Sequence, residues 1–153
     1  MIQIELTQGK IAIIDDSDFD LVSKYKWYFN NGYAVSSSMF GKKVCMHRII
    51  ANPPASLQVD HINGNKLDNR KQNLRCCTVK QNTQNVKKHK DNTSGYKGVI
   101  LHKPNNKYTV RIMENGKFAF FGYYSDPVEA AKVYDREAKR IFGEFASLNF
   151  EDK

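Results

Sequence analysis

The chain has little cysteine. Cys45, Cys76 and Cys77 are its three thiols, and no two of them form a C-x-x-C pair. That excludes a disulfide framework and the common spacing of a structural zinc site. Reduced thiols in a cytosol are the simple reading, with adjacent Cys76 and Cys77 serving as small strand residues. Long apolar runs are also missing. None approaches the roughly 18 residues that a membrane-spanning helix needs, and the N-terminus lacks a secretory pattern. The expectation is a cytoplasmic protein with no membrane partner. At 153 residues it fits one domain or two small ones.

Acidic residues are outnumbered, 16 against 24 Lys and Arg, for a formal charge of +8. The isoelectric point is about 9.4. A balance of this kind favours a polyanionic partner or simple solubility. Its distribution is more informative. Residues 1–46 hold five basic and five acidic side chains, residues 47–95 nine against three, and residues 96–153 ten against eight. The excess lies in the middle, where a phosphate backbone would be met.

That middle carries the chemistry. Residues 59–86 read VDHINGNKLDNRKQNLRCCTVKQNTQNV, with Asn73 twelve residues after His61 and Asn82 nine further on. A short apolar segment at 56–59 leads into Asp60 and His61, and a polar loop follows. Residues 74–77 read as a second strand, Thr78 as a helix cap and 79–86 as a helix bearing Asn82. Strand, loop, strand, helix suits phosphodiester hydrolysis, which needs a base for water, a metal and cationic groups. His61 titrates near neutrality and can be the base. Asp60, pointing across the strand, offers an oxygen to a hard cation and Asn82 a second; water and phosphate complete the way Mg²⁺ is usually held. Asn73 is placed to brace the loop and fix the His61 ring. Arg70 and Arg75 are the phosphate-side candidates by charge and proximity. The plain alternative is a surface loop rich in Asn and Lys.

The flanks are β-rich. Residues 2–6 alternate, 10–14 follow after Gly9, and Asn30–Gly32 signals a hairpin between aromatic segments. Asp15, Asp16, Asp18 and Asp20 read as a solvated turn and helix start, since no Gly and distal Glu complete a calcium loop. His47 reads first as a packed or hydrogen-bonded structural histidine, with a role near the site as the alternative. The run 87–90, with His89, reads as a solvated phosphate-contacting face, and residues 91–95 as a linker.

Past the linker, 96–102, 107–113 and 118–124 read as three strands, with Asn115-Gly116 as a type I′ turn. Tyr108, Val110 and Ile112 lie on one face of the middle strand; Lys107, Thr109 and Arg111 lie on the other. Asp126, Pro127 and Glu129 open a helix, and an apolar stripe from Ala131 to Phe142 faces the sheet. The helix covers the apolar face and leaves the basic one open. A bare basic sheet can enter a DNA major groove.

Two resemblances sharpen these readings. Met46-His47-Arg48-Ile49-Ile50, the run from Asp60 to Asn65 and Asn73-Leu74-Arg75 resemble the phage and intron homing branch of the HNH nucleases, over about residues 45–90. The implied site is the His-Asn-Asn variant of the ββα-metal motif. Asp60 and Asn82 would bind one divalent metal, Mg²⁺ or Mn²⁺, with His61 as general base and Asn73 structural. The third position is Asn, which fits a nicking or slower enzyme. Tyr96-Lys97-Gly98-Val99, Phe121-Gly122, Glu129-Ala130-Ala131, Tyr134-Asp135 and Leu148-Asn149-Phe150 resemble the Apetala-two/ethylene-response DNA-binding domain. In that family three strands lie in the major groove. The matching positions here are Lys97, His102, Arg111 and Phe120, where Phe120 replaces a Trp; Lys103, Lys107 and Lys117 are added as phosphate contacts.

The expectation is an α+β protein. Residues 1–90 form an HNH nuclease domain with a small N-terminal β-sheet, 91–95 a linker, and 96–153 a DNA-binding domain of three antiparallel strands and one helix. The expected function is site-specific, metal-dependent cleavage of double-stranded DNA by a monomer or homodimer needing no protein partner, located in the host cytoplasm if a phage encodes it. The alternatives are a sequence-specific DNA-binding regulator with an inactive nuclease motif and, further off, a basic RNA-binding protein.

Overall fold

The computed structural model describes residues 1–37, 42–84 and 92–150. The run 87–90, including His89, lies outside the described residues. The fold is α+β, and the chain divides into two compact units, Met1–Asn82 and Thr83–Lys153.

The first unit opens with an antiparallel hairpin of β1 (Ile2–Glu5) and β2 (Ile11–Ile14), in register from Ile2↔Ile14 to Glu5↔Ile11. Alternation sends Ala12 and Ile14 inward, where they meet Leu6, Val22, Ala34, Met46 and Ile50. Helix α1 (Phe19–Val22) follows, then an antiparallel sheet of β3 (Tyr28–Asn30), β4 (Tyr33–Ser37) and β5 (Lys43–Cys45) in the order β3-β4-β5. Asn31 and Gly32 both have positive φ, 49° and 91°. This is the backbone that a two-residue hairpin turn demands and that Asn-Gly supplies at least cost. Helix α2 (Met46–Ala51) stops at Asn52 in the left-handed region, and Pro53 and Pro54 bar its continuation.

The two strands of the motif are β6 (Gln58–His61) and β7 (Leu74–Cys77), followed by helix α3 (Val79–Gln84). Strand β6 starts two residues into the apolar segment 56–59 and carries Asp60 and His61 at its end. Pairing decides this: Asp60 lies opposite Arg75 and His61 opposite Leu74. Cross-strand complementarity overrides the poor strand propensity of Asp. Thr78 caps α3 with a reciprocal box: its Oγ1 accepts from Gln81 N (3.2 Å), and Gln81 Oε1 accepts from Thr78 N (2.8 Å).

The second unit is a three-stranded antiparallel sheet, β8 (Val99–His102), β9 (Lys107–Glu114) and β10 (Lys117–Tyr124), in the order β10-β9-β8, with helix α4 (Pro127–Phe142). Val99, Val110 and Ile112 pack on Ala130, Ala131, Tyr134 and Ala138 of the helix. Asp126 caps α4 by accepting from the backbone N–H groups of Val128 and Glu129. Such a cap is worth about 1 kcal/mol. Asp126→Ala is therefore expected to lower the unit's stability by that amount, read from urea unfolding followed by circular dichroism.

Strand β10 is not regular. Its register slips between Phe120 and Tyr123, at Phe121 and Gly122, and Gly122 takes φ +110°. A bulge of this kind resets the alternation. Tyr123 therefore joins Phe118 and Phe120 on the open face, while Phe121 and Tyr124 pack inward. Thr109, expected on the open face, is buried there between its cross-strand neighbours Ile100 and Tyr123, and its hydroxyl donates to the Ile100 carbonyl (3.3 Å).

Candidate active site

The loop between β6 and β7 is held by its own asparagines. Asn63 Oδ1 accepts from Asn65 N, and Asn65 Oδ1 accepts from Leu67 N. Asn73 closes the loop from its far end. Its Oδ1 accepts from Asn63 N (3.0 Å), its Nδ2 donates to the Asp68 carbonyl (2.8 Å), and its own carbonyl accepts from Ile62 N (2.9 Å). Side chains of this type supply the turn bonds that the backbone lacks. The loop is also sewn to β2: Ile13 N donates to the Leu67 carbonyl and Asn69 N to the Ile13 carbonyl.

Two acids from the N-terminal cluster complete the clasp. Asp15 Oδ2 accepts from Lys71 N (2.8 Å), and Asp18, buried, pairs with Lys71 Nζ at 2.6 Å. The composition suggested a solvated cluster, but half of it reaches 53 and 56 residues down the chain to fix the segment before Asn73.

His61 is buried at the end of β6. Its Nε2 lies 3.4 Å from Asn69 Oδ1, and Asn69 Nδ2 donates to the Leu67 carbonyl. That second bond orients the Asn69 amide, so its oxygen faces the ring and calls for a proton on Nε2. The neutral imidazole then carries its lone pair on Nδ1. Burial pushes the His61 pKa down; the Asn69 bond and the charges of Asp60 and Asp68 oppose this. The favoured state at neutral pH is the uncharged one that a base requires.

His47, on α2, meets His61 edge-on with ring centres 5.1 Å apart, and Tyr33 of β4 lies 5.2 Å from His47. Lys66 Nζ stands 4.3 Å over the Tyr33 ring. The sequence reading gave His47 a structural role first and a place near the site as the alternative, and did not find Asn69, Tyr33 or Lys66. The elements that bring them together are paired by long-range contacts, which linear spacing does not display. The His-Arg that opens the motif block was the one available signal.

Burial, followed by the nearby charges of His61, Arg48 and Lys66, lowers the His47 pKa to about 4. The unfolded chain, with an ordinary imidazole, therefore binds more protons than the folded one between pH 6.5 and 4. Stability is fully present above pH 6.5 and falls as the pH drops toward 4, by about 3 kcal/mol for a shift of this size. Urea unfolding at pH 7.5 and pH 4.5 is expected to show this loss, and His47→Gln to show a smaller one.

Asp60 points to the other face of β6. Arg75 donates to its Oδ2 from Nε (3.0 Å) and from Nη2 (2.8 Å). Asn82 reaches the same face: its Nδ2 donates to Oε1 of Gln58 (2.7 Å), two residues before Asp60 on the strand. Arg70 is bound to Asp68 through Nε (2.8 Å) and Nη2 (2.7 Å). Among the described residues no three His, Cys, Asp or Glu side chains gather as a metal cluster. Asp60 and the Asn82 amide supply hard oxygen donors. Such a pair fits an ion of the Mg²⁺ or Mn²⁺ type, which keeps water and phosphate among its ligands, and does not fit a closed protein cage.

In the second unit, directly opposed residues share a face. His102 with Lys107, Arg111 with Phe120, and Met113 with Phe118 line the open side. Phe118, Phe120 and Tyr123 are exposed there. Tyr123 stacks edge-on with both His102 (5.3 Å) and Phe120 (5.1 Å). Lys103 sits in the turn between β8 and β9. Lys117 pairs with Glu114 on the opposite face, at the tip of the hairpin. Lys97 precedes β8. Asn149 clasps its backbone (2.6 and 3.1 Å), and burial lowers its pKa to about 8 against the pull of Asp135. Tyr123 escaped the sequence reading because the bulge inverted its direction.

Among the described residues no helix is long and apolar enough to cross a membrane. Residues 46–84 match the family described as HNH endonuclease. An uncharacterized HNH endonuclease of Acanthamoeba polyphaga mimivirus is 36% identical over 149 residues, covering 93% of this chain and 76% of that protein. Protein 3.8 of Escherichia phage T7 is 33% identical over 93 residues, covering 61% of this chain and 76% of that protein. No solved structure matches the chain.

Proposed function

The chain belongs to the HNH endonuclease family, and from that membership we propose that it is a metal-dependent, site-specific DNA endonuclease of the homing type. The observation that carries this reading is the adjacency, within the matched segment, of a buried imidazole at His61, whose pKa burial pushes down, and a buried carboxylate at Asp60 on the opposite face of β6. His61 accepts a proton at Nδ1 from the attacking water as the water oxygen bonds to phosphorus and the phosphodiester P–O bond breaks. Asn73 holds the loop that fixes the ring. Asp60 and Asn82 hold one divalent ion, Mg²⁺ or Mn²⁺. When bound, the ion polarises the phosphate and stabilises charge on the leaving oxygen. Arg70 and Arg75 supply positive charge for the phosphate backbone.

Residues 1–90 form the nuclease part, 91–95 the linker and 96–153 the DNA-binding part, whose fold follows the Apetala-two pattern. There His102, Lys107 and Arg111 contact double-stranded DNA, and Phe120 with its aromatic neighbours packs on base edges such as thymine methyls. Lys97, Lys103 and Lys117 contribute charge at the edges. One chain carries one centre, so a monomer nicks, and a homodimer or a second visit cuts both strands.

A second reading is a DNA-binding regulator with an inactive nuclease motif. It is favoured by the engaged state of Asp60, whose Oδ2 accepts two N–H groups of Arg75. Relaxation of supercoiled DNA separates the two. Nicked or linear product in Mg²⁺ that disappears in EDTA supports the nuclease. Tight binding with no product from any member of a random-sequence library supports the regulator.

A further inference from the structure

We propose that Arg75 is a built-in counter-ion for Asp60 in the metal-free protein, and that a divalent cation must displace it to bind. The inference rests on the reading of Asp60 as a metal ligand.

The two residues are directly opposed on β6 and β7. Their side chains are nearly covered, 11% exposed for Arg75 and 8% for Asp60. The Arg70–Asp68 pair differs, because Arg70 is 30% exposed and water screens it. A covered carboxylate is costly unless a cation or hydrogen-bond donors compensate its charge. Arg75 supplies both, with two N–H groups on Oδ2.

A divalent ion on the same carboxylate places three positive charges around it in a poorly screened setting. The guanidinium must then move. Its planar fork matches a phosphate as well as a carboxylate. Arg75 leaves Asp60 as the ion arrives and is released toward the phosphate. By linkage, metal and DNA then favour each other.

The opposite role is also physically coherent. Groups hydrogen-bonded to a metal-ligating carboxylate commonly orient it, and their loss weakens metal binding. The two roles predict opposite signs. Mn²⁺ binding to the full-length protein without DNA, measured by calorimetry, reads the sign directly. Displacement predicts that Arg75→Gln binds Mn²⁺ on the order of tenfold more tightly than the parent, a typical size for coupling between sites. Unchanged or weaker binding would overturn the proposal.

Asp60→Asn separates this from the underlying reading. If it keeps the parent's Mn²⁺ affinity, Asp60 is not a ligand and both fall. If it loses binding while Arg75→Gln gains none, the counter-ion claim alone falls. Because Arg75→Gln risks unfolding, a second measurement uses the unaltered chain. The Arg75 Nε–H resonance, protected by its carboxylate, is expected to exchange faster with water on Mg²⁺ addition, and an unchanged exchange rate would overturn the displacement.

Discussion

His61→Ala is expected to lower the single-turnover cleavage rate by roughly 10² to 10⁴-fold, the usual worth of a positioned general base, while DNA binding in a gel shift stays near that of the parent. The separation follows from the geometry. The His61 ring is buried among His47, Tyr33 and Asn69. The cationic and aromatic side chains suited to a duplex lie elsewhere, including the open face of the second unit's sheet. Removing the ring deletes a proton acceptor and leaves that face alone. Some loss of stability accompanies the small cavity, so the variant's melting temperature should be recorded beside its rate. A variant that folds, binds and still cuts at the parent rate would remove His61 from the chemistry.

Gly98→Ala is expected to unfold the second unit, or to cost it roughly 3–5 kcal/mol, a large part of a small domain's stability. Two effects combine. Gly98 has φ +71°, a region that disfavours any side chain, and a Cβ there would sit 2.0 Å from Tyr134 Cδ2 and 2.1 Å from Cε2. Tyr134 cannot step aside, because it is buried in the core between α4 and the sheet. The ring lies over the backbone where β8 begins, and only a hydrogen fits between them. Urea unfolding followed by circular dichroism is expected to lose the second unit's transition or shift it far down. A parent-like curve would mean that Tyr134 or the strand moves freely, contrary to the packing described.

Much of the architecture could be read from the chain because it rests on local rules. Asn115-Gly116, with φ of 51° and 79°, turned the hairpin its sequence announced, and Asp126 with Pro127 opened the helix where expected. Thr78 likewise declared the start of α3, and Gln81 completes its capping box. What escaped was set by distant partners. The start of β6 was set by its register with β7, which begins the strand at Gln58 and not at residue 56. The bulge at Phe121–Gly122 broke the period of two on which the placement of Tyr123 depended. His47, Tyr33 and Asn69 come from a helix, a strand and a loop, and only the folded unit brings them to His61. The acids at 15–20 resembled a solvated turn because Lys71, the partner of Asp15 and Asp18, lies 56 and 53 residues away from them.

The central claim is that His61 moves a proton, and the most direct measurement is chemical rescue. A His61→Gly protein, with room for a free imidazole in place of the missing ring, would be assayed on supercoiled DNA in Mg²⁺ with and without added imidazole. The account predicts a slow basal rate that rises with imidazole concentration, while the parent rate does not change. A loss that imidazole leaves untouched would contradict the proton-transfer role and leave His61 as a group that only positions its neighbours.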